Sequence, residues 1–179
     1  MVTKEQNLPY FKGVVIETPN KRHHSECVIT AILNYLIEKG TDQRTLQDVQ
    51  TRYQTHLSLA KKYLVATTKI PLFIEQMMGR DIEATLYLAS NISTELVPPQ
   101  DIKKIKSLPK GLEINSFPFI GCSDDDSHLF VVSLKGKKIV TIDNDGQIHD
   151  GLRYSVNDYV GLRDLSYLEK LLLSVRINN

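Results

Sequence analysis

Only two cysteines occur in the 179 residues, Cys27 and Cys122. Two are too few for a disulfide framework, so a reducing compartment suits the chain and nothing in it demands secretion. An excess of one charge is also missing. Lys and Arg number 22 against 21 Asp and Glu, a formal net charge of +1, whereas a dedicated nucleic-acid binder needs a strong basic excess. No apolar run approaches the length of a membrane span. The opening MVTKEQNLPYFKG lacks the apolar core of a signal peptide. The expectation is a soluble protein without a signal peptide, acting in the cytoplasm or after export by a specialised secretion system. Internal repeats and low-complexity segments are absent as well. What remains is an ordinary globular composition, 41% hydrophobic and 24% charged. It predicts a single domain over residues 1–179, large enough to bury a core.

The most informative stretch is SECVITAILNYLIEKG, Ser25 to Gly40. Ser25 is suited to cap a helix, since its hydroxyl can accept an orphan backbone N–H. Gly40 suits the opposite end, where a left-handed residue closes the last turn. Between them Val28, Ile29, Ala31, Ile32, Leu33, Tyr35, Leu36 and Ile37 cover most of the circumference. Glu26, Thr30, Asn34 and Glu38, four apart each time, leave a narrow polar stripe. A helix apolar nearly all round belongs in the middle of a domain. Cys27 then lies in the first turn, at the positive end of the dipole, where a thiolate is stabilised. The plain alternative is a small hydrophobe filling space, the usual fate of a free cysteine.

Residues 1–24 read as irregular, with VVIET (Val14 to Thr18) a candidate strand turned by Pro19-Asn20. A second helix follows Gly40 in TDQRTLQDVQTRYQTHLSLAKKYL, with Leu46, Val49, Tyr53, Leu57 and Tyr63 near helical spacing and a break expected around Thr55 to Ser58. A third starts in ATTKIPLFIEQMMG, with Pro71 near its N-terminus and Gly79 at its end. From there the pattern changes to strands. DIEATLYLA (Asp81 to Ala89) alternates. Asn91 to Lys110 is a polar connection with room for a short helix and with lysines at 103, 104, 106 and 110 on a solvated face. Gly111 to Cys122 supplies a strand that Pro118 confines to an edge or a bulge. HLFVVSLKGKKIVTID is a hairpin, Ser155 to Asp164 a short helix, and EKLLLSVRI a final strand. The fold class is α+β, with a helical half over about 14–80 packed on an antiparallel sheet over about 81–179.

The hairpin predicts a contact. With Lys135-Gly136 as a two-residue turn, Leu134 faces Lys137 and Val132 faces Ile139. The same register sets His128 opposite Asp143, about 5 Å apart at Cβ. Sliding the turn by one residue makes the partner Asp145 instead. A carboxylate there would fix the imidazole tautomer and stabilise an imidazolium. The plain alternative is a strand-end histidine beside a turn-forming aspartate.

Taken together, SECVITAILNYLIEKGTDQRTLQDV and SHLFVVSLKGKKIVTIDNDG resemble the papain-like cysteine peptidases, and within them most closely the bacteriocin-processing (double-glycine leader) peptidase family. The likeness spans about residues 14–165 and keeps the chain order Cys, His, Asp. It implies a papain-like fold in which Cys27 is the nucleophile, His128 the general base and Asp143 the orienting acid. It also implies a protein or peptide substrate and no cofactor. The same layout serves bacterial effectors that deamidate glutamine in host proteins, which makes a deamidase the second expectation. A catalytically inactive papain-like binding module is the third. The family's glutamine about six residues before the cysteine is Lys21 here, and no glutamine occurs in residues 14–26. Asn20 is the nearest chemical substitute as an oxyanion donor. His23, His24 and Cys27 look like metal ligands, but no second pair at zinc-site spacing accompanies them, so no metal is expected. Asp124 to Asp126 form a solvated loop that would favour a cationic substrate segment. Cys122 is assigned to packing, and His56 and His149 sit in no recognisable motif.

Overall fold

The computed structural model describes residues 2–13, 22–60, 64–79, 82–88, 92–93, 108–109, 116–123, 128–165, 172 and 175. The proposed strand at 14–18, Asn20, Tyr63, the four lysines between 103 and 110, and Asp124 to Asp126 lie outside these. Arg22–His24 (β1) leads into α1 (Ser25–Glu38), which is followed by α2 (Gln43–Ala60) and β2 (Leu64–Ala66). A 3-10 turn at Thr67–Lys69 then opens α3 (Ile70–Met78). The remaining strands are β3 (Ile82–Leu88), β4 (Ile92–Ser93), β5 (Leu108–Pro109), β6 (Phe119–Ser123), β7 (Leu129–Lys135), β8 (Lys138–Ile142), β9 (Ile148–Asp150) and β10 (Val156–Asp164). Helices fill the first half. An antiparallel six-stranded sheet, in the order β3-β10-β6-β7-β8-β9, fills the second.

The sheet is apolar on both faces. On one, Cys122, Leu129, Val131, Ile142 and Val160 pack with Val28, Ile29, Ile32 and Leu33 of α1 and with Ile70 and Ile74 of α3. On the other, Phe119, Phe130, Val132, Ile139 and Val156 close around Leu152 and Tyr154. Helix α1 is therefore central, and Val28, Ile29, Ile32 and Leu33 are wholly buried. Thr30 and Asn34 of its polar stripe are buried too. Asn34 accepts from the Phe11 N–H at 2.7 Å and donates to the Phe11 carbonyl at 3.1 Å. Glu38 accepts from Tyr10, Ser133 and Lys135. The stripe exists because an N-terminal strand of backbone, residues 10–13, lies along it and needs partners for its own N–H and C=O groups.

Several boundaries differ from the sequence reading. The N-cap is His24, whose Nδ1 accepts from the Glu26 N–H, while the Ser25 hydroxyl is bonded to Tyr53. Gly40, at φ 74°, closes α1 as expected. Its N–H reaches Ile37 O and that of Thr41 reaches Leu36 O, the paired bonds of a Schellman ending. Helix α2 runs unbroken through Thr55–Ser58, because Thr55 and Ser58 bond back to the carbonyls of Thr51 and Gln54 and leave the backbone ladder intact.

Pro118 precedes β6, so that strand is interior to the sheet and not an edge. Ser155 to Asp164 is no helix: β10 occupies Val156–Asp164, between β3 and β6. A bulge between Val156 and Asp158 turns Val156 to one face and Val160 to the other, which breaks the alternation that would mark a strand. The strand expected at EKLLLSVRI lies outside the described residues except for Leu172 and Val175, whose backbone is helical. Among the described residues no helix is long and apolar enough to cross a membrane.

Candidate active site

His128 immediately precedes β7, and its Nε2 lies 2.6 Å from Asp143 Oδ1 just past the end of β8. The hairpin turn is Gly136-Lys137, not Lys135-Gly136: Lys135 pairs with Lys138, Leu134 with Ile139 and Val132 with Thr141. Extending that register sets Phe130 opposite Asp143, so the histidine reaches its carboxylate along the diagonal. A diagonal neighbour lies about 7–8 Å away, within range of a long or aromatic side chain. The far ring nitrogen makes the contact for this reason. Asp145, the register partner of His128 by extension, is instead held by His149 Nε2 at 2.7 Å and Arg153 Nη1 at 3.2 Å.

The pair is enclosed. His128 is 8% exposed and Asp143 4%. Tyr154 stands edge-on to the imidazole at 4.8 Å between ring centroids and donates its hydroxyl to Asp143 Oδ2 at 2.8 Å. Phe130 lies under the same ring. Burial alone would raise the Asp143 carboxyl. The hydrogen bond and charge of His128, the Asn144 N–H and the Tyr154 hydroxyl outweigh it and hold the group below its ordinary range. Burial, together with the bond to Asp143, pushes the Tyr154 phenol up to about 12, so it stays a donor. An ionised carboxylate only accepts. His128 Nε2 must then carry the proton in its contact with Asp143, which leaves Nδ1 as the ring nitrogen able to exchange a proton with a neighbour.

Cys27 is in the first turn of α1 and 3% exposed. Helix α1 lies along β7, with Glu38 beside Ser133 and Lys135 at the hairpin end. At the other end His23, on the strand leading into α1, meets Cys122 Sγ at 3.5 Å, and Cys122 pairs across the sheet with Leu129. From Glu38 back to Cys27 is about 16 Å of helix, and from Ser133 back to His128 is about 16 Å of strand. The cysteine and the histidine are thus at the same end of the α1–β7 pair. A second tie runs there through the N-terminal segment: Gly13 lies against Thr30, one turn beyond Cys27, and donates its N–H to Asn144 O at 2.9 Å.

Of the nominated residues, the structure brings His128 and Asp143 into contact and places Cys27 at their end of the sheet on a neighbouring element. Asn20 lies outside the described residues. Sequence reading missed Tyr154 and the His149–Asp145–Arg153 cluster. Arg153 and Tyr154 lie in the β9–β10 connection, His149 in β9 and Asp145 just before it, and none of these stretches carries a pattern that announces what it covers. Among the described residues no three His, Cys, Asp or Glu side chains converge so as to hold a metal ion. His23 faces Thr67 and Cys122, and His24 caps α1. An open cleft of about 510 Å³ lies toward β3 and β10, lined by Tyr87, Tyr159, Phe117 and Arg163, and contains none of the nominated residues. No family model, curated protein or solved structure matches the chain.

Proposed function

We propose that the protein is a papain-like cysteine peptidase in which Cys27, His128 and Asp143 act as a triad on a peptide bond of a protein or peptide substrate. The observation that carries this reading is the buried 2.6 Å contact between His128 Nε2 and Asp143 at the end of the sheet where α1 begins. A carboxylate kept ionised and bonded to one imidazole nitrogen fixes the tautomer that makes the other a base. A thiol at a helix start, within reach of that base, would be activated from two sides, by the dipole and by proton transfer.

The chemistry follows from those roles. His128 Nδ1 takes the Cys27 proton, and the thiolate attacks the carbonyl carbon of the scissile amide. The tetrahedral oxyanion collapses to a thioester as the imidazolium returns its proton to the departing amine. Water, deprotonated by the same nitrogen, then attacks the thioester, releasing the carboxylic acid and regenerating the thiol. Asp143 holds the ring throughout and stays ionised.

The test is incubation of the full chain with a peptide library, read by mass spectrometry. The proposal expects fragment pairs whose masses sum to a parent peptide plus one water, lost in Cys27→Ala and in His128→Ala. Intact peptides with glutamine converted to glutamate would make the protein a deamidase with the same residues. A full biological effect retained by Cys27→Ala would leave a binding module in place of an enzyme.

A further inference from the structure

Asn144 is 1% exposed, and neither Oδ1 nor Nδ2 of its amide hydrogen-bonds to any described residue. A primary amide can donate twice and accept twice. Leaving all of that unmet in a buried place costs stability, and such groups are few in native proteins. The backbone of the same residue is fully engaged: its N–H donates to Asp143 Oδ1 at 2.8 Å and its carbonyl accepts from Gly13. The residue is therefore anchored while its side chain is idle.

Its place is informative. Asp143 turns to the sheet face that carries Phe130 and Tyr154. Asn144 follows in a turn beyond the end of β8, closed by the Gly146 N–H on the Asp143 carbonyl. Gly13 links it to Thr30, one turn along from Cys27. Strand β8 ends just before it, with Ile142 paired to Val131 of β7, and the neighbouring Asp145 bridges Lys12 of the N-terminal segment.

We infer that the Asn144 side chain is the oxyanion donor of the reaction proposed above, acting with the Cys27 backbone N–H. The inference rests on that reading. Acyl chemistry needs donors aimed at where negative charge develops, and such donors act most strongly when water is excluded. A buried amide with no hydrogen-bond partner among the described residues meets that need. The N–H groups of a helix's first turn point out of its N-terminal end, which sets that of Cys27 on the same side. Asn20 was nominated for this role from its closeness in sequence. Asn144 gains its claim from an unpartnered buried amide next to Asp143 and from the Gly13 tie to Thr30 of α1.

Two reagents separate this role from a structural one. Acylation of Cys27 by p-nitrophenyl acetate passes through a tetrahedral oxyanion; alkylation by iodoacetamide is a displacement at carbon and does not. Rates are measured on the full chain, with Cys27→Ala subtracted as background. Asn144→Ala and the isosteric Asn144→Asp, which lacks the N–H₂, are compared with wild type and Asn20→Ala. The expected result is acylation slowed by about 10²-fold in both Asn144 variants, with iodoacetamide alkylation unchanged and melting temperature not lowered in Asn144→Ala. Equal slowing of both reactions, slowing of neither, a loss confined to Asn20→Ala, or failure of both Asn144 variants to fold would overturn the assignment. Failure of iodoacetamide to label Cys27 in the wild type would instead remove the parent reading, and this one with it.

Discussion

Asp143 receives three donors, from His128, the Asn144 N–H and Tyr154, and each favours its ionised form. Its carboxyl is therefore lower in the folded chain than in the unfolded one, and the sign of the pH dependence follows. The stabilisation is fully present above the ordinary carboxylate range, near pH 4, and is lost as pH falls through the lowered folded value. Thermal melts of wild type should lose ground below about pH 4, and Asp143→Asn should flatten that fall. A residual slope should remain, because Glu38 is also held low: its own burial works against this, and the bonds from Lys135, Tyr10 and Ser133 outweigh it. Identical acid profiles for the two proteins would deny that Asp143 is ionised in this environment. The same substitution removes the negative charge that stabilises an imidazolium, so the p-nitrophenyl acetate rate should drop by about 10²-fold or more. A rate within twofold of wild type would leave Asp143 with a structural role only.

At the scale of elements, α1 is fixed less by its caps than by the backbone laid along its polar stripe. Asn34 is wholly buried and holds both polar groups of Phe11. Asn34→Ala would leave that N–H and C=O buried without partners, at about 2–4 kcal/mol in urea denaturation. A change under about 0.5 kcal/mol would show that residues 10–13 are not a fixed part of the fold. Gly40→Ala should cost about 1 kcal/mol, since Gly40 has φ 74°.

The central helix, its glycine ending, α3 with its proline start, and strand β3 were legible because apolar spacing and capping residues are local signals. The contact of His128 with Asp143 was legible as well, although through a turn placed one residue early; a diagonal reach to Nε2 replaced the direct opposition that was expected. What sequence could not disclose was set by partners distant in the chain. Strand β10 hides its period behind a bulge, Ser25 gives up the cap to bond Tyr53, and Asn144 looks like an ordinary turn residue until its burial is seen.

On the scale of the whole molecule, the sheet separates two packed layers, and the candidate site lies at one end of both. The His128–Asp143 pair belongs to the layer around Phe130 and Tyr154, and the helix bearing Cys27 belongs to the layer beneath the helices. A thiol and a base on separate layers can meet only at the end of the strands, which makes reactivity at Cys27 a property of the assembled domain. Urea sufficient to unfold the chain should therefore bring Cys27 and Cys122 to one common alkylation rate.

The account is tested most directly by iodoacetamide alkylation of the native protein with peptide mapping across pH 5 to 9, in wild type and His128→Ala. Both cysteines are buried, so accessibility alone predicts similar slow rates. Activation at the start of α1 predicts that Cys27 reacts much faster than Cys122 near pH 7, and that His128→Ala shifts the onset of Cys27 labelling to higher pH while leaving Cys122 as it was. Equal rates at the two cysteines, a faster Cys122, or a Cys27 profile indifferent to His128 would contradict the triad.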